Sequence, residues 1–169
     1  MIRILALLIV TLSVGVSASE IVVIDSEKIF DSLGEVADAR ELLQTEIEEW
    51  QAHADSLQEE IDELEDDLSR TLMMSPETRR EKERLLEQKR GELDSFISET
   101  FGPDGLVESR NEQLVSPIVA SINEAVREIS SEEGYSLVLD ASKGHVVFAD
   151  PSIDITNEVI DRLTTRGED

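Results

Sequence analysis

The chain has 169 residues and no cysteine, and its 39 acidic and 15 basic residues give a formal net charge of −24. Without cysteine it can form neither disulfides nor thiolate metal sites, so burial and association must stabilise it. The negative charge argues against nucleic acid and anionic membrane surfaces as partners, because both carry dense negative charge themselves.

The first 19 residues have the three-part pattern of an export signal. Arg3 gives a charged start, and Ile4 to Val16 form a largely apolar run of 13 residues. Either Val16-Ser17-Ala18 or Ser17-Ala18-Ser19 then offers small residues for cleavage. This run is shorter than the roughly 20 residues that span a bilayer. We therefore predict a cleaved signal peptide over residues 1–19 and an exported mature chain with no stable membrane anchor.

Residues 20–34 contain the β-branched run Ile21-Val22-Val23-Ile24, ended by Asp25-Ser26. Such a run is typical of a short buried strand. We predict that this strand is the first part of a small body.

From residue 35 the pattern becomes helical and shows a ladder of apolar residues spaced alternately by four and three. This spacing averages 3.5 residues and is typical of a coiled-coil seam. The ladder consists of Leu43, Ile47, Trp50, Ala54, Leu57, Ile61, Leu64 and Leu68. It predicts a long helix with one narrow apolar stripe.

A second helix is predicted to begin at Ser75-Pro76, which provides an N-cap and a proline in the first turn. It runs to about Thr100, and its apolar stripe is weaker. The stripe contains Leu86, Leu93, Phe96 and Thr100, with Leu85 and Ile97 beside it.

Charge favours an antiparallel pairing of the two helices. Residues 35–68 contain 14 acids and one base, whereas seven of the 14 bases of the mature chain lie between Arg70 and Arg90. Facing charges of opposite sign select a partner and an orientation, although they could also be a solvated face. We predict a coiled-coil hairpin arm over residues 35–105, with its tip near residues 73–76.

A turn at Phe101-Gly102-Pro103-Asp104-Gly105 interrupts the return, and Gly102, Pro103 and Gly105 are candidate hinge residues. Residues 106–169 are predicted to complete the body. A helix there either restarts at Ser116-Pro117 or runs on from Leu106 with a kink at Pro117. Strands at 135–140 and 145–149 are predicted to form a β-hairpin, and a short C-terminal helix follows.

The fold class predicted is α+β, with a small β-rich body and a long helical hairpin. A body of about 80 residues with three short strands is marginal alone and leaves open sheet edges. We therefore predict a homo-oligomer. The candidate oligomerisation residues are Ile21, Val22, Val23, Ile24, Leu137, Val138, Leu139, Val146, Val147 and Phe148.

The sequence contains no phosphate loop, nucleophile elbow or metal-ligand spacing, so we predict neither an enzyme nor a cofactor. Methionine-rich tips adapt to varied partners, so Leu72, Met73 and Met74 are candidate client-binding residues, although they could simply pack the turn. Trp50 and Phe96 are further candidates, and their place on the stripes equally fits a role in the seam.

The order of these segments resembles the Skp/OmpH family of periplasmic chaperones for outer-membrane proteins. The resemblance lies in the segments Ile21 to Phe30, Gly134 to Asp140 and Asp154 to Ile160, together with the charged hairpin. It implies a periplasmic trimer with a β-barrel body and three helical tentacles, which holds unfolded outer-membrane proteins in a cavity without ATP.

This chain departs from the resemblance in its charge. Better-known members are basic, so electrostatic recruitment of acidic clients or of lipopolysaccharide does not carry over. The alternative function is a periplasmic scaffold or adaptor whose hairpin docks one folded partner.

Overall fold

A computed structural model of the chain describes residues 20–70 and 74–166. The elements in order are β1 (Glu20–Ile24), α1 (Ser26–Ser32), α2 (Gly34–Arg70), α3 (Pro76–Phe101), α4 (Leu106–Glu133), β2 (Tyr135–Asp140), a 3-10 turn (Pro151–Ile153) and α5 (Thr156–Arg166). The predicted class, a small α+β body with a long helical hairpin, is confirmed. The predicted signal peptide and two candidate tip residues, Leu72 and Met73, lie outside the described residues.

The body is built on a parallel pair of strands. β1 pairs with β2 in a register that places Ile21 opposite Leu137 and Val23 opposite Leu139. One face of this pair packs on helices α1, α4 and α5. The buried core consists of Val22, Ile24, Ile29, Val36, Ile118, Ile122, Ala125, Ile129, Ile155, Val159 and Leu163.

The predicted β-hairpin is wrong for the described chain. Its first strand is β2, which pairs with β1, but residues 145–149 form no strand. The Asp140 carboxylate accepts hydrogen bonds from the Ser142 amide at 3.0 Å and the Ser142 hydroxyl at 2.8 Å, which stabilises a local turn after β2. The chain therefore leaves the sheet here, and the side chains of Val147 and Phe148 are 99% and 82% exposed.

The arm is formed mainly by α2 and α3. α2 has 37 residues and extends about 56 Å at 1.5 Å per residue. All eight ladder residues are buried or half-buried, and Leu57 and Ile61 are the most buried of them. α3 begins at the predicted cap, where the Ser75 hydroxyl accepts the Thr78 amide at 3.2 Å.

The return helix has a full seam that apolar periodicity alone does not show. Its inward positions are Lys82, Leu86, Lys89, Leu93, Phe96 and Thr100, again spaced by four and three, and all are buried or half-buried. The Lys89 ammonium lies 2.7 Å from Glu60 and 3.3 Å from Glu92, and Lys82 pairs with Asp67. Lysine stems can cover apolar surface while their ammonium groups stay at the edge.

Three facing pairs mark the register of the arm: Glu60 with Lys89, His53 with Phe96, and Glu46 with Arg110. Successive partners on α2, from Glu60 to His53 to Glu46, are seven residues apart. On the return chain, Lys89 and Phe96 are also seven residues apart, but Phe96 and Arg110 are fourteen apart. The turn between α3 and α4 therefore takes up one extra heptad, which keeps the apolar seam in phase on both sides. The arm thus continues across the turn into α4.

Glycine is required at this turn. A Cβ on Gly102 would lie 2.2 Å from the Ser98 carbonyl oxygen, and one on Gly105 would lie 2.8 Å from the carbonyl oxygens of Thr100 and Gly102. Alanine at either position would therefore distort the turn. The hinge role of Gly102, Pro103 and Gly105 stays a prediction. Beyond the turn, α4 runs through Pro117 without a break, as the second of the two alternatives proposed.

Replacing Thr100 by Val is expected to stabilise the arm. Thr100 is 0% exposed, and its Oγ1 has no hydrogen-bond partner in the described part of the chain. Removing an unpaired buried hydroxyl while keeping the shape should raise the free energy of unfolding by about 1–3 kcal/mol. Urea unfolding followed by circular dichroism measures this change.

Thr45→Val is the matched control, because the Thr45 hydroxyl is exposed and bonds the Glu41 carbonyl oxygen at 2.9 Å. It should leave stability unchanged or slightly lower. A Thr100→Val protein that is less stable than wild type would show that the hydroxyl has a partner in solution.

Candidate functional site

The charges along α2 are only partly neutralised. Five of its 14 acids form ion pairs, four of them toward the tip; they are Glu46, Glu60, Glu65, Asp66 and Asp67. The other nine have no ion pair within the described residues. Three of the five pairs cross from α2 to α3, which agrees with the predicted pairing, although an exposed pair contributes only about 0–1 kcal/mol.

The return chain near the turn is acidic as well. Residues 91–112 contain six acids and one base, Arg110. The Arg110 guanidinium is engaged by Glu46, whose two carboxylate oxygens lie 2.7 and 2.8 Å from it. This hydrogen bonding lowers the pKa of the Glu46 carboxyl and raises that of Arg110. The Arg110 guanidinium is therefore not available to neutralise the six carboxylates of residues 91–112.

Exposed apolar side chains occur on the same part of the arm. Ile97 and Phe101 are four residues apart and share one face of α3, while Leu106 begins α4 after the turn. Leu106 also lines a shallow groove with Trp50. We call Trp50, Ile97, Phe101 and Leu106 the mid-arm residues. Ile97 with Phe101 on one helix face, and Leu106 with Trp50 at the groove, are therefore candidate contact positions.

The candidate client-binding residues fall in different places. Trp50 is half-buried on the seam and borders the groove. Phe96 is also half-buried, and its ring meets that of His53 edge to face with centroids 4.7 Å apart. Met74 is half-buried just before α3. Sequence periodicity missed Phe101 and Leu106, because neither belongs to a regular stripe.

The candidate oligomerisation residues divide into two groups. Val22, Val23 and Ile24 are buried within the chain itself, and Val138 packs partly against the same core. The exposed group is Ile21, Leu137, Leu139, Val147 and Phe148, with Val146 half-buried beside it. Side chains alternate across a strand, so Ile21, Leu137 and Leu139 share the sheet face that points away from the core. We call these three residues the open sheet face.

Asp140 fastens the end of β2 to the start of α1. Its carboxylate accepts the Ser26 hydroxyl at 2.6 Å and the Ser26 amide at 3.3 Å, in addition to the two bonds from Ser142. Partial burial pushes the pKa of Asp140 upward, but the hydrogen bonds outweigh it and lower the pKa from 3.8 to about 2. The ionised form is therefore the one that the fold favours.

Asp140→Asn is expected to destabilise the body at neutral pH by about 2 kcal/mol, the value of the pKa shift. Since the folded pKa lies below the unfolded one, this stability is complete above about pH 4 and is lost as the pH falls toward 2. The melting temperatures of variant and wild type should therefore converge in acid. Asp161→Asn, at an exposed position of α5, controls for the lost charge. If the two melting temperatures differed by the same amount at every pH, the ionised Asp140 carboxylate could not be the source of this stability.

Within residues 20–70 and 74–166, no three His, Cys, Asp or Glu side chains come together in a way that could hold a metal ion. Over the same ranges, no helix is long and apolar enough to cross a membrane.

Comparisons with known proteins match most of the chain. The model of the family described as outer membrane protein (OmpH-like) matches residues 20–163. A chaperone protein Skp of Yersinia enterocolitica is 30% identical over 155 residues, which cover 89% of this chain and 90% of that protein. The crystal structure of an OmpH-like outer membrane chaperone of Caulobacter crescentus aligns with a TM-score of 0.72 at 19% identity, covering 90% and 88% of the two chains. At that identity the structural likeness establishes the fold alone.

Proposed function

The chain belongs to the OmpH-like family, a family of outer membrane chaperones, and from this we propose that it is an ATP-independent periplasmic holdase. In this role it binds unfolded outer-membrane proteins between helical arms and prevents their aggregation. The proposed compartment follows from the export signal expected at residues 1–19.

The observation that carries the proposal is the exposed apolar surface halfway along a slender arm. A holdase must bind many sequences and release them without fuel. Many weak contacts spread over a large surface meet this demand better than one deep pocket, because each contact can be lost separately. The mid-arm residues provide such contacts on a rod that stands clear of the body's core.

Several arms are needed to enclose a client, and the body offers a surface for association. The open sheet face leaves three apolar side chains in water, and Val147 and Phe148 add two more. Covering this area with copies of the same chain would bury it and would pair the free sheet edge. We propose a homo-oligomer, and the resemblance to the family favours a trimer.

The test is an aggregation assay without nucleotide. A denatured outer-membrane β-barrel protein is diluted from urea into buffer with the purified mature protein, and light scattering is recorded. We expect scattering to be suppressed and a soluble complex to elute in size-exclusion chromatography, unchanged by added ATP. An unrelated protein of similar negative charge controls for charge alone. If scattering is not suppressed and the protein instead binds one folded protein stoichiometrically, the alternative function as a scaffold or adaptor would be favoured.

A further inference from the structure

The arm has two halves of different character. We define the inner arm as residues 41–55 and 91–112, which face each other, and the outer arm as residues 56–70 and 76–90. The inner arm contains 11 acids and one base, whereas the outer arm contains 11 acids and seven bases. Four of the five ion-paired acids of α2 lie in the outer arm. The excess negative charge of the rod is therefore concentrated on its inner half.

Exposed apolar side chains follow the same division. Among the described residues of the arm, the exposed large apolar side chains are Leu42, Ile97, Phe101 and Leu106. All four belong to the inner arm. This half of the arm thus carries both apolar side chains open to water and carboxylates that form no ion pair within the described residues, among them Glu49 and Glu99.

We propose that the inner arm is the principal client-contact surface and that it selects unfolded segments in which apolar residues are flanked by Lys and Arg. This inference rests on the holdase function proposed above and names the class of client. Apolar burial contributes affinity with little regard to sequence. The unpaired carboxylates then discriminate by charge, since they favour cationic flanks and repel acidic ones.

Peptides of matched apolar content test the selection. Three unstructured, fluorescently labelled peptides share the same apolar residues and carry Lys, Ser or Glu at the flanking positions. Fluorescence anisotropy with the full mature protein should give the tightest binding for the Lys peptide, about tenfold or more tighter than for the Glu peptide, if several pairs contribute. High salt should reduce the ratio of the two affinities, because it screens the charges of the arm and of the peptides. Equal affinities, or tighter binding of the Glu peptide, would overturn the proposal.

Charge variants locate the contact. Glu49→Gln with Glu99→Gln removes two exposed carboxylates of the inner arm that form no ion pair with any described residue. Glu59→Gln with Glu63→Gln removes two of the same kind from the outer arm. The inner variant should weaken binding of the Lys peptide about three- to tenfold, and the outer variant less than twofold. A larger loss in the outer variant would place the contact elsewhere and overturn the proposal.

A variant that lacks an exposed apolar side chain separates the contribution of apolar burial from the discrimination by charge. Phe101→Ser should weaken all three peptides alike, whereas Val119→Ser, at an exposed body position, should weaken none. If Phe101→Ser and Val119→Ser changed the peptide affinities equally, this result would contradict a contact on the inner arm. The protein could keep a denatured outer-membrane protein soluble and yet bind the three peptides equally well. In that case only the proposed selection by charge would be wrong. If nothing is held soluble, the holdase function fails and the selection falls with it.

Discussion

Leu139→Asp is expected to dissociate the proposed oligomer while leaving each chain folded. The Leu139 side chain is 40% exposed on the open sheet face, opposite the core. In a single chain a carboxylate there would remain in water at little cost. In an assembly that covers this face it would be buried without a partner, and an unpaired buried charge is strongly destabilising. Sedimentation should show monomers, with the helical signal in circular dichroism preserved.

Leu42→Asp provides the control, because Leu42 is 43% exposed on the arm and the same change there should leave the mass of the assembly unaltered. Val138 is a poorer position, since it packs partly against the core of its own chain and Val138→Asp would disturb the fold itself. A Leu139→Asp protein that sediments like wild type would mean that copies associate through another surface, or not at all.

The helical hairpin could be predicted from sequence because its determinants are local and repeated. The alternating spacing along α2 specifies one face at every turn, and no single residue decides it. The start of α3 was equally clear, since Ser75 and Pro76 supply a hydroxyl acceptor and a preset backbone angle.

The sheet could be predicted only in part because strand pairing is not local. The composition of residues 135–140 predicts β2, but its partner is β1, more than a hundred residues earlier in the chain. The run Val146-Val147-Phe148 has the composition of a strand, but it pairs with no strand among the residues that the structure describes. β-propensity reports how well a residue fits a half-buried pleated surface, so it cannot say which chain provides that surface.

The candidate site was partly hidden by lysines in the seam. Lys82 and Lys89 occupy inward positions of α3, so counting apolar residues alone gave a weak stripe and placed Ile97 merely beside it. Once those positions are assigned to the seam, Phe96 belongs to the packed interface. Ile97 and Phe101 then lie outside the seam, on the exposed surface of the arm.

Leu57→Ala is expected to unfold the outer arm without unfolding the body. Leu57 is 3% exposed and, with Ile61, is the most buried of the apolar residues of the seam, which are separate from the core of the body. Removing a buried leucine side chain costs about 2–5 kcal/mol. A slender two-helix rod has few other apolar contacts to offset such a loss, so the damage should stay local.

Hydrogen exchange distinguishes this outcome from global destabilisation. Amides of residues 56–70 and 76–90 should exchange much faster in Leu57→Ala, while those of β1, β2 and α4 from Pro117 onward keep wild-type protection. Leu42→Ala removes the same atoms from an exposed position of the same helix, and should change stability by no more than about 0.5 kcal/mol. Uniformly faster exchange would mean that arm and body unfold as one unit. The arm could not then move independently of the body of its own chain.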